Sequence, residues 1–142
     1  MAGPEYVTPR ERHDGPIFLA AYDPEWAATY DRLAGAIRDA LGDTAVEVEH
    51  VGSTSVPGLD AKPIIDIDLI VPDSTDEAAY VGPLERLGYE LLLREPDWFE
   101  HRLLRLGVPA ANLHVFSEGC EEHTRMLEFR DRMRADDEVR DR

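Results

Sequence analysis

Residues 63–71, PIIDIDLIV, place two aspartates inside an otherwise apolar run. A run of this length and β-branched content, preceded by Pro-Gly and closed by Pro72, predicts a buried β-strand. Ionised carboxylates are costly in such a strand unless something pairs with them. Side chains alternate along a strand, so Asp66 and Asp68 share one face, about 7 Å apart along the chain. That spacing suits two hard oxygen donors gripping one cation.

The stretch just upstream is EHVGSTSVPGLDAK. Gly52 permits a tight turn and close backbone approach to a ligand. Ser53, Thr54 and Ser55 add hydroxyls that can bond phosphate oxygens. If the flanking strands are neighbours, this turn sits beside the Asp pair. Metal ions would then bridge a triphosphate and the two aspartates, while turn amides hold the outer phosphates. The loop lacks G-x-x-x-x-G-K-[ST] and is not a Walker A sequence. A Gly-Ser turn by itself is a common structural feature, and an Asp in a strand is often a structural partner. The combination points to a metal–phosphate site.

Charge restricts the partners. The net charge of −15 argues against broad nucleic-acid binding, which needs an electropositive footprint. An acidic chain that handles polyphosphate must concentrate positive charge locally or recruit metal. Lys62, the only lysine, stands between the Gly-Ser turn and the Asp pair. No run approaches the roughly 18 apolar residues of a membrane span. The N-terminus lacks the apolar core of a signal peptide. The single cysteine, Cys120, fits a reducing cytoplasm and reads as an inert residue.

The 142 residues read as a flexible tail, 1–14, and one domain, 15–142. PIFLAAY (16–22) is an extended lead-in. Asp23, Pro24 and Glu25 predict a helix start, and Trp26, Tyr30, Leu33, Ile37 and Leu41 form its core stripe up to Gly42. AVEVEHVG (45–52) alternates Val46 and Val48 with Glu47 and Glu49, a half-buried strand. Residues 73–88 predict a less regular helix. YELLLRE (89–95), WFEHRLLRL (98–106) and NLHVF (112–116) predict three strands in an antiparallel run. A charged helix follows, with Met126, Phe129 and Met133 on one stripe. The expected fold is α/β, a mixed sheet flanked by helices.

EHVGSTSVPGLDAKPIIDIDLIV resembles the GrpB family, itself similar to the nucleotidyltransferase superfamily with its Gly-Ser and D-x-D pattern. YDPEW (22–26), LGYE (87–90), LHVF (113–116) and FRDRMR (129–134) extend the likeness over about 20–134. The resemblance implies a small nucleotidyltransferase-like fold. It implies that Gly52 and Ser53 hold phosphates and that Asp66 and Asp68 bind Mg²⁺, with a two-metal site possible. Active superfamily enzymes usually carry a third carboxylate on a later strand. NLHVF offers His114 and no acid, so Glu100 is the best substitute, with Glu49 behind it. Some family members are fused to dephospho-CoA kinase, so a fused or associated partner protein is expected. The family continues past this point with more helix, so a chain ending at DDEVRDR is expected to be cut short.

The expected function is a cytoplasmic, Mg²⁺-dependent nucleotidyltransferase that moves a nucleoside monophosphate from an NTP to a small-molecule acceptor. Asp66, Asp68 and Glu100 are the catalytic candidates, and Asp66 and Asp68 hold the metal. Gly52, Ser53, Thr54, Lys62, His114 and Arg130 are the substrate-binding candidates. Arg134, four residues beyond Arg130, shares its helix face and its alternative reading as a paired surface arginine. His50 reads as a residue that holds the loop. His13, His101 and His123 show no ligand spacing. The alternative function is a catalytically inactive binding, accessory or chaperone-like domain that kept the fold.

Overall fold

The computed structural model describes residues 4–7 and 19–136. A six-stranded sheet runs in the order β1-β4-β5-β6-β3-β2. The strands are β1 (Glu5–Tyr6), β2 (Glu47–Val51), β3 (Ile65–Val71), β4 (Glu90–Glu95), β5 (His101–Leu106) and β6 (Ala111–Ser117). The helices are α1 (Glu25–Leu41), α2 (Val81–Arg86) and α3 (Glu121–Ala135). Every strand pairing is antiparallel except β3 with β6.

Period-2 alternation divides β3 between two environments. Ile65, Ile67, Leu69 and Val71 join the core with Trp26, Ala34, Ile37 and Leu41 of α1 and Leu84 of α2. Leu104 and Leu113 bring β5 and β6 into the same layer, both without exposure. Asp66, Asp68 and Ile70 therefore point to the opposite face, where α3 lies. The start of α1 is set by Asp23, whose Oδ1 accepts the Glu25 amide at 2.9 Å. Pro24 occupies the cap position and lacks the amide that a helix start would leave unbonded.

Several expectations need correction. Part of the expected tail is a strand, because Glu5 and Tyr6 pair with Arg94 and Leu93 on the sheet edge. His13 lies outside the described residues. Val46 is exposed, and β2 begins one residue later. Residues 73–88 form a short 3-10 turn, Glu77–Ala79, followed by the six-residue α2. Glu100 is not on a strand. Phe99 and Glu100 take positive φ (55° and 50°) in the turn before His101. Of the Met126–Phe129–Met133 stripe, the two methionines are half-buried but Phe129 is 63% exposed. The helix is tied to the sheet through His123 and Arg130 and to the Ser53–Ser55 turn through Arg134.

Candidate functional site

The β2–β3 hairpin carries the motif string, as the sequence predicts. Its register sets Val51 opposite Asp66 and Glu49 opposite Asp68. On the other side of β3, Asn112 and His114 of β6 stand in register with Asp66 and Asp68. Pleating gives these partners one common face.

Gly52 is required here twice over. Its φ of 74° is strained for a side chain, and a Cβ would lie 2.6 Å from Asp66 Oδ2. The turn thus closes directly on the carboxylate. Ser53, Thr54, Lys62, Asp66 and Asn112 line one cavity of about 380 Å³. Ser53 and Lys62 are exposed, and Asp66 is partly so. Thr54 is buried and committed: its hydroxyl lies 2.9 Å from His50 Nε2 and donates to the Ile64 carbonyl at 3.3 Å. With that donor used, Thr54 Oγ1 accepts from His50 Nε2–H. The Thr54 hydroxyl therefore holds the loop and is not presented to a ligand. His50 does the same work from β2, stacked on Tyr30 at 4.7 Å. Burial, then the nearby Arg134 charge, push its pKa down to about 4, so the ring is neutral at pH 7.

The two aspartates differ sharply. Asp66 retains 30% side-chain exposure, whereas Asp68 has none. Asp68 Oδ2 accepts from His123 Nδ1 at 2.8 Å, and His123 Nε2 reaches Glu47 at 2.7 Å. Asp68 Oδ1 has no hydrogen-bond partner. Burial raises the Asp68 pKa despite the His123 hydrogen bond. For His123, burial pulls downward, but the bonds and charges of Asp68 and Glu47 prevail and raise it. Both ring nitrogens face carboxylates, which makes this an imidazolium donating twice. The expectation that both carboxylates open on the Ser53 cleft holds for Asp66 only.

A second histidine chain ends at Asp66. Glu95 Oε1 lies 3.0 Å from His101 Nδ1, and His101 Nε2 lies 3.0 Å from His114 Nδ1. His114 Nε2 is 3.4 Å from Asp66 Oδ1. Burial and the His114 and Arg102 charges push His101 down to about 3, so its ring is neutral. Its Nδ1–H donates to Glu95, and Nε2 accepts from His114 Nδ1–H. Nothing on β5 or β6 supplies an acid at this face. Glu100 lies exposed in the turn, and its backbone carbonyl accepts from Ser74 and Arg102. Glu49, the fallback acid, is bound by Arg130 at 2.8 Å. That pairing, with a further bond to the His50 carbonyl, also commits Arg130 to structure rather than to substrate. Arg134 donates to the Ser55 carbonyl at 2.9 Å.

Sequence reasoning missed Asn112, Glu95, His101 and His123. His123 is separated from Asp68 by most of the second half of the chain, and no spacing rule links them. The register of β6 against β3 is what reveals Asn112, and parallel pairing leaves no local sign.

The family model for GrpB protein matches residues 16–142. The chain belongs to the GrpB family. It is 57% identical over 129 residues to a UPF0157 protein of Halalkalibacterium halodurans, covering 91% of this chain and 66% of that protein. A UPF0157 protein of Streptomyces coelicolor is 49% identical over 120 residues, which make up 84% of this chain and 62% of that protein. This GrpB member thus spans less than two thirds of the length of either relative. A dephospho-CoA kinase of Mycolicibacterium paratuberculosis is 36% identical over 89 residues, 61% of this chain and 22% of the kinase. Among solved structures, GrpB from Enterococcus faecalis superposes with a TM-score of 0.76 at 31% identity, over 87% of this chain and 76% of that one. A cytoplasmic RNA terminal U-transferase gives a TM-score of 0.58 at 14% identity, over 87% of this chain and 38% of that one. The second likeness is one of fold, and it makes the fold nucleotidyltransferase-like. No helix among the described residues is long and apolar enough to cross a membrane.

Proposed function

We propose that this GrpB chain carries the nucleotide site of a magnesium-dependent nucleotidyltransferase that moves a nucleoside monophosphate from an NTP to a small acceptor. One observation carries the reading. Asp66 closes against the Gly52 turn in the same cavity as Ser53 and Lys62. Hard oxygen, hydroxyl and ammonium thus line a single space large enough for phosphates, with Leu19, Ala61 and Ile64 completing its wall.

The donor set favours a metal that arrives with the substrate. Among the described residues, no three His, Cys, Asp or Glu side chains come together as a cation cage. Mg²⁺ needs no such cage, since it is held by one or two carboxylates with phosphate and water completing the shell. Asp66 is the carboxylate that is open to such an ion, while Asp68 is buried against His123. When bound there, the ion would supply charge neutralisation at the phosphates. Ser53 and the turn amides would hold the outer phosphates, and Lys62 would offset their charge. The acceptor oxygen bonds to the α-phosphorus, and the bond from that phosphorus to the bridging oxygen breaks. Its electron pair leaves with pyrophosphate, and the acceptor proton passes to water. His114, whose Nε2 lies 3.4 Å from Asp66 Oδ1, is placed to orient that carboxylate.

A second reading, a non-catalytic accessory or chaperone-like domain, is favoured by the Asp68–His123–Glu47 cluster, which uses one metal-site carboxylate as a structural partner. Nucleotide-dependent thermal shift with and without Mg²⁺, paired with pyrophosphate release over an acceptor library, separates the two. Stabilisation by Mg·NTP that Asp66→Asn removes, together with release, supports the enzyme. Binding without release under every acceptor supports the accessory domain. No Mg-dependent stabilisation by any NTP overturns the nucleotide site.

A further inference from the structure

The cavity at Asp66 does not end at Asn112. Asn112 and Ile64 also line a second cavity of about 280 Å³, completed by Arg105, Leu106, Gly107 and Ala110. The strand order explains the join. Asp66 of β3 stands in register with Asn112 of β6, and Asn112 with Arg105 of β5. The three residues make one row across the face that carries the site, about 10 Å long at ordinary strand spacing.

The two cavities differ in chemistry. The first holds Ser53, Lys62 and Asp66, whereas the wall of the second is mostly aliphatic, through Ile64, Leu106 and Ala110. Arg105, at its rim, already has a partner. Asn112 stands where the two spaces meet. It is half-buried and makes no side-chain hydrogen bond among the described residues, while its neighbours Thr54 and His114 are both held by histidines. Its amide offers donors and an acceptor, which matches a hydroxyl that also does both. An amide so placed suits a hydroxylated group that joins a phosphate to an apolar ring.

We propose that the second cavity takes the nucleoside of the donor NTP, and that Asn112 binds its ribose hydroxyls. The proposal rests on the nucleotide-site reading above. With the phosphates at Ser53, Lys62 and Asp66, the ribose is one ester link from the α-phosphorus. It must then lie in space continuous with the first cavity, and the passage at Asn112 and Ile64 is such a space. Carboxylate, amide and aliphatic wall follow one another in the order of phosphate, sugar and base. The base rests on Ile64 and Leu106 by apolar contact. Asn112 selects the sugar, because an NTP without ribose hydroxyls leaves its amide unpaired.

The test is calorimetric titration with Mg²⁺, using the common NTPs, inorganic tripolyphosphate and the 2′,3′-dideoxy form of the tightest NTP. The parent should bind that NTP at least about tenfold more tightly than either tripolyphosphate or the dideoxy form, which lack the ribose hydroxyls. Asn112→Ala should bind the NTP and its dideoxy form equally. Gly107→Leu adds a side chain at the second cavity, where a Cβ meets nothing within 4 Å and φ lies outside the left-handed region. It should weaken the NTP at least about tenfold by filling that space. Both variants should hold tripolyphosphate as the parent does, which also shows that they are folded. If Gly107→Leu loses both ligands, Asn112→Ala decides alone. Parent-like NTP affinity in either variant, or a parent that binds NTP no more tightly than tripolyphosphate, would overturn the nucleoside cavity. Loss of tripolyphosphate in Asn112→Ala would make the amide a phosphate ligand and overturn its role with the sugar. A parent that binds neither NTP nor tripolyphosphate is a distinct result, since it removes the nucleotide site itself and this proposal with it.

Discussion

His123 Nδ1 lies 2.8 Å from Oδ2 of Asp68, a carboxylate with no exposure at all. The bond ties the last helix to the middle of the sheet. It also gives the two aspartates of one D-x-D motif different duties.

Asp66→Asn and Asp68→Asn should therefore separate in stability. Asparagine at 68 leaves the His123 imidazolium buried without its charged partner, and a loss of about 1.5–3 kcal/mol is expected, as for hydrogen bonds to charged groups. Asp66 is part-exposed, and its change should stay within about 0.5 kcal/mol. Urea denaturation of both variants without metal measures this. Equal losses would mean that His123 does not anchor α3.

Stability should fall on both sides of neutrality, for opposite reasons. The pKa of His123 is raised in the folded state, so its contribution is complete below the unfolded value of about 6.5 and fades as pH rises through the folded value. His50 and His101 are lowered, to about 4 and about 3. The unfolded rings take up protons below about 6.5 and the folded ones do not, so stability is lost as pH falls. By pH 5 each costs about 2 kcal/mol. Melting curves between pH 4.5 and 9 give the dome, and His123→Gln should flatten its alkaline side only. An unchanged alkaline limb in that variant would contradict the assignment.

Two glycines with similar φ should respond differently to alanine. Gly58 (φ 84°) has open space around a would-be Cβ, so Gly58→Ala should cost only the backbone strain, about 1–2 kcal/mol. Gly52→Ala adds a collision with Asp66 Oδ2. It should cost more and also abolish Mg-dependent nucleotide binding, which Gly58→Ala should preserve. Isothermal titration of the two variants decides it, and intact binding in Gly52→Ala would detach the turn from the site.

His101 is a positioning residue for His114. His101→Phe keeps a planar ring but breaks the links to Glu95 and His114. The transfer rate should fall about 100-fold, comparable to a small misplacement of a site group, with KM for the NTP within about twofold. A rise in KM without a fall in kcat would assign His101 to substrate binding instead.

How much of this was legible in the sequence depends on where each contact comes from. β2, the Gly52 turn and β3 are adjacent in the chain, so Asp66, Ser53 and Lys62 could be brought together from local signals alone. The α1 stripe and the antiparallel run of β4, β5 and β6 follow from periodicity in the same way. The burial of Asp68 was not legible, because its partner, His123, sits on a helix whose charge pattern looks solvated on every side. Glu100 was misplaced since alternation was extended through a turn, and positive φ at two ordinary residues leaves no mark in composition. Arg130 looked free for phosphate only because Glu49, its partner, lies on a strand far away in the chain.

The parallel pairing of β3 with β6 makes the motif portable but the site not. A graft of residues 47–71 into another sheet would carry the turn, the lysine and both aspartates. It would leave behind His114, which stands beside Asp68 only through that pairing, and His123, which neutralises Asp68 from α3. Such a graft would hold a buried carboxylate with nothing to answer its charge. The string that most readily identifies this chain is thus the part least able to work in isolation.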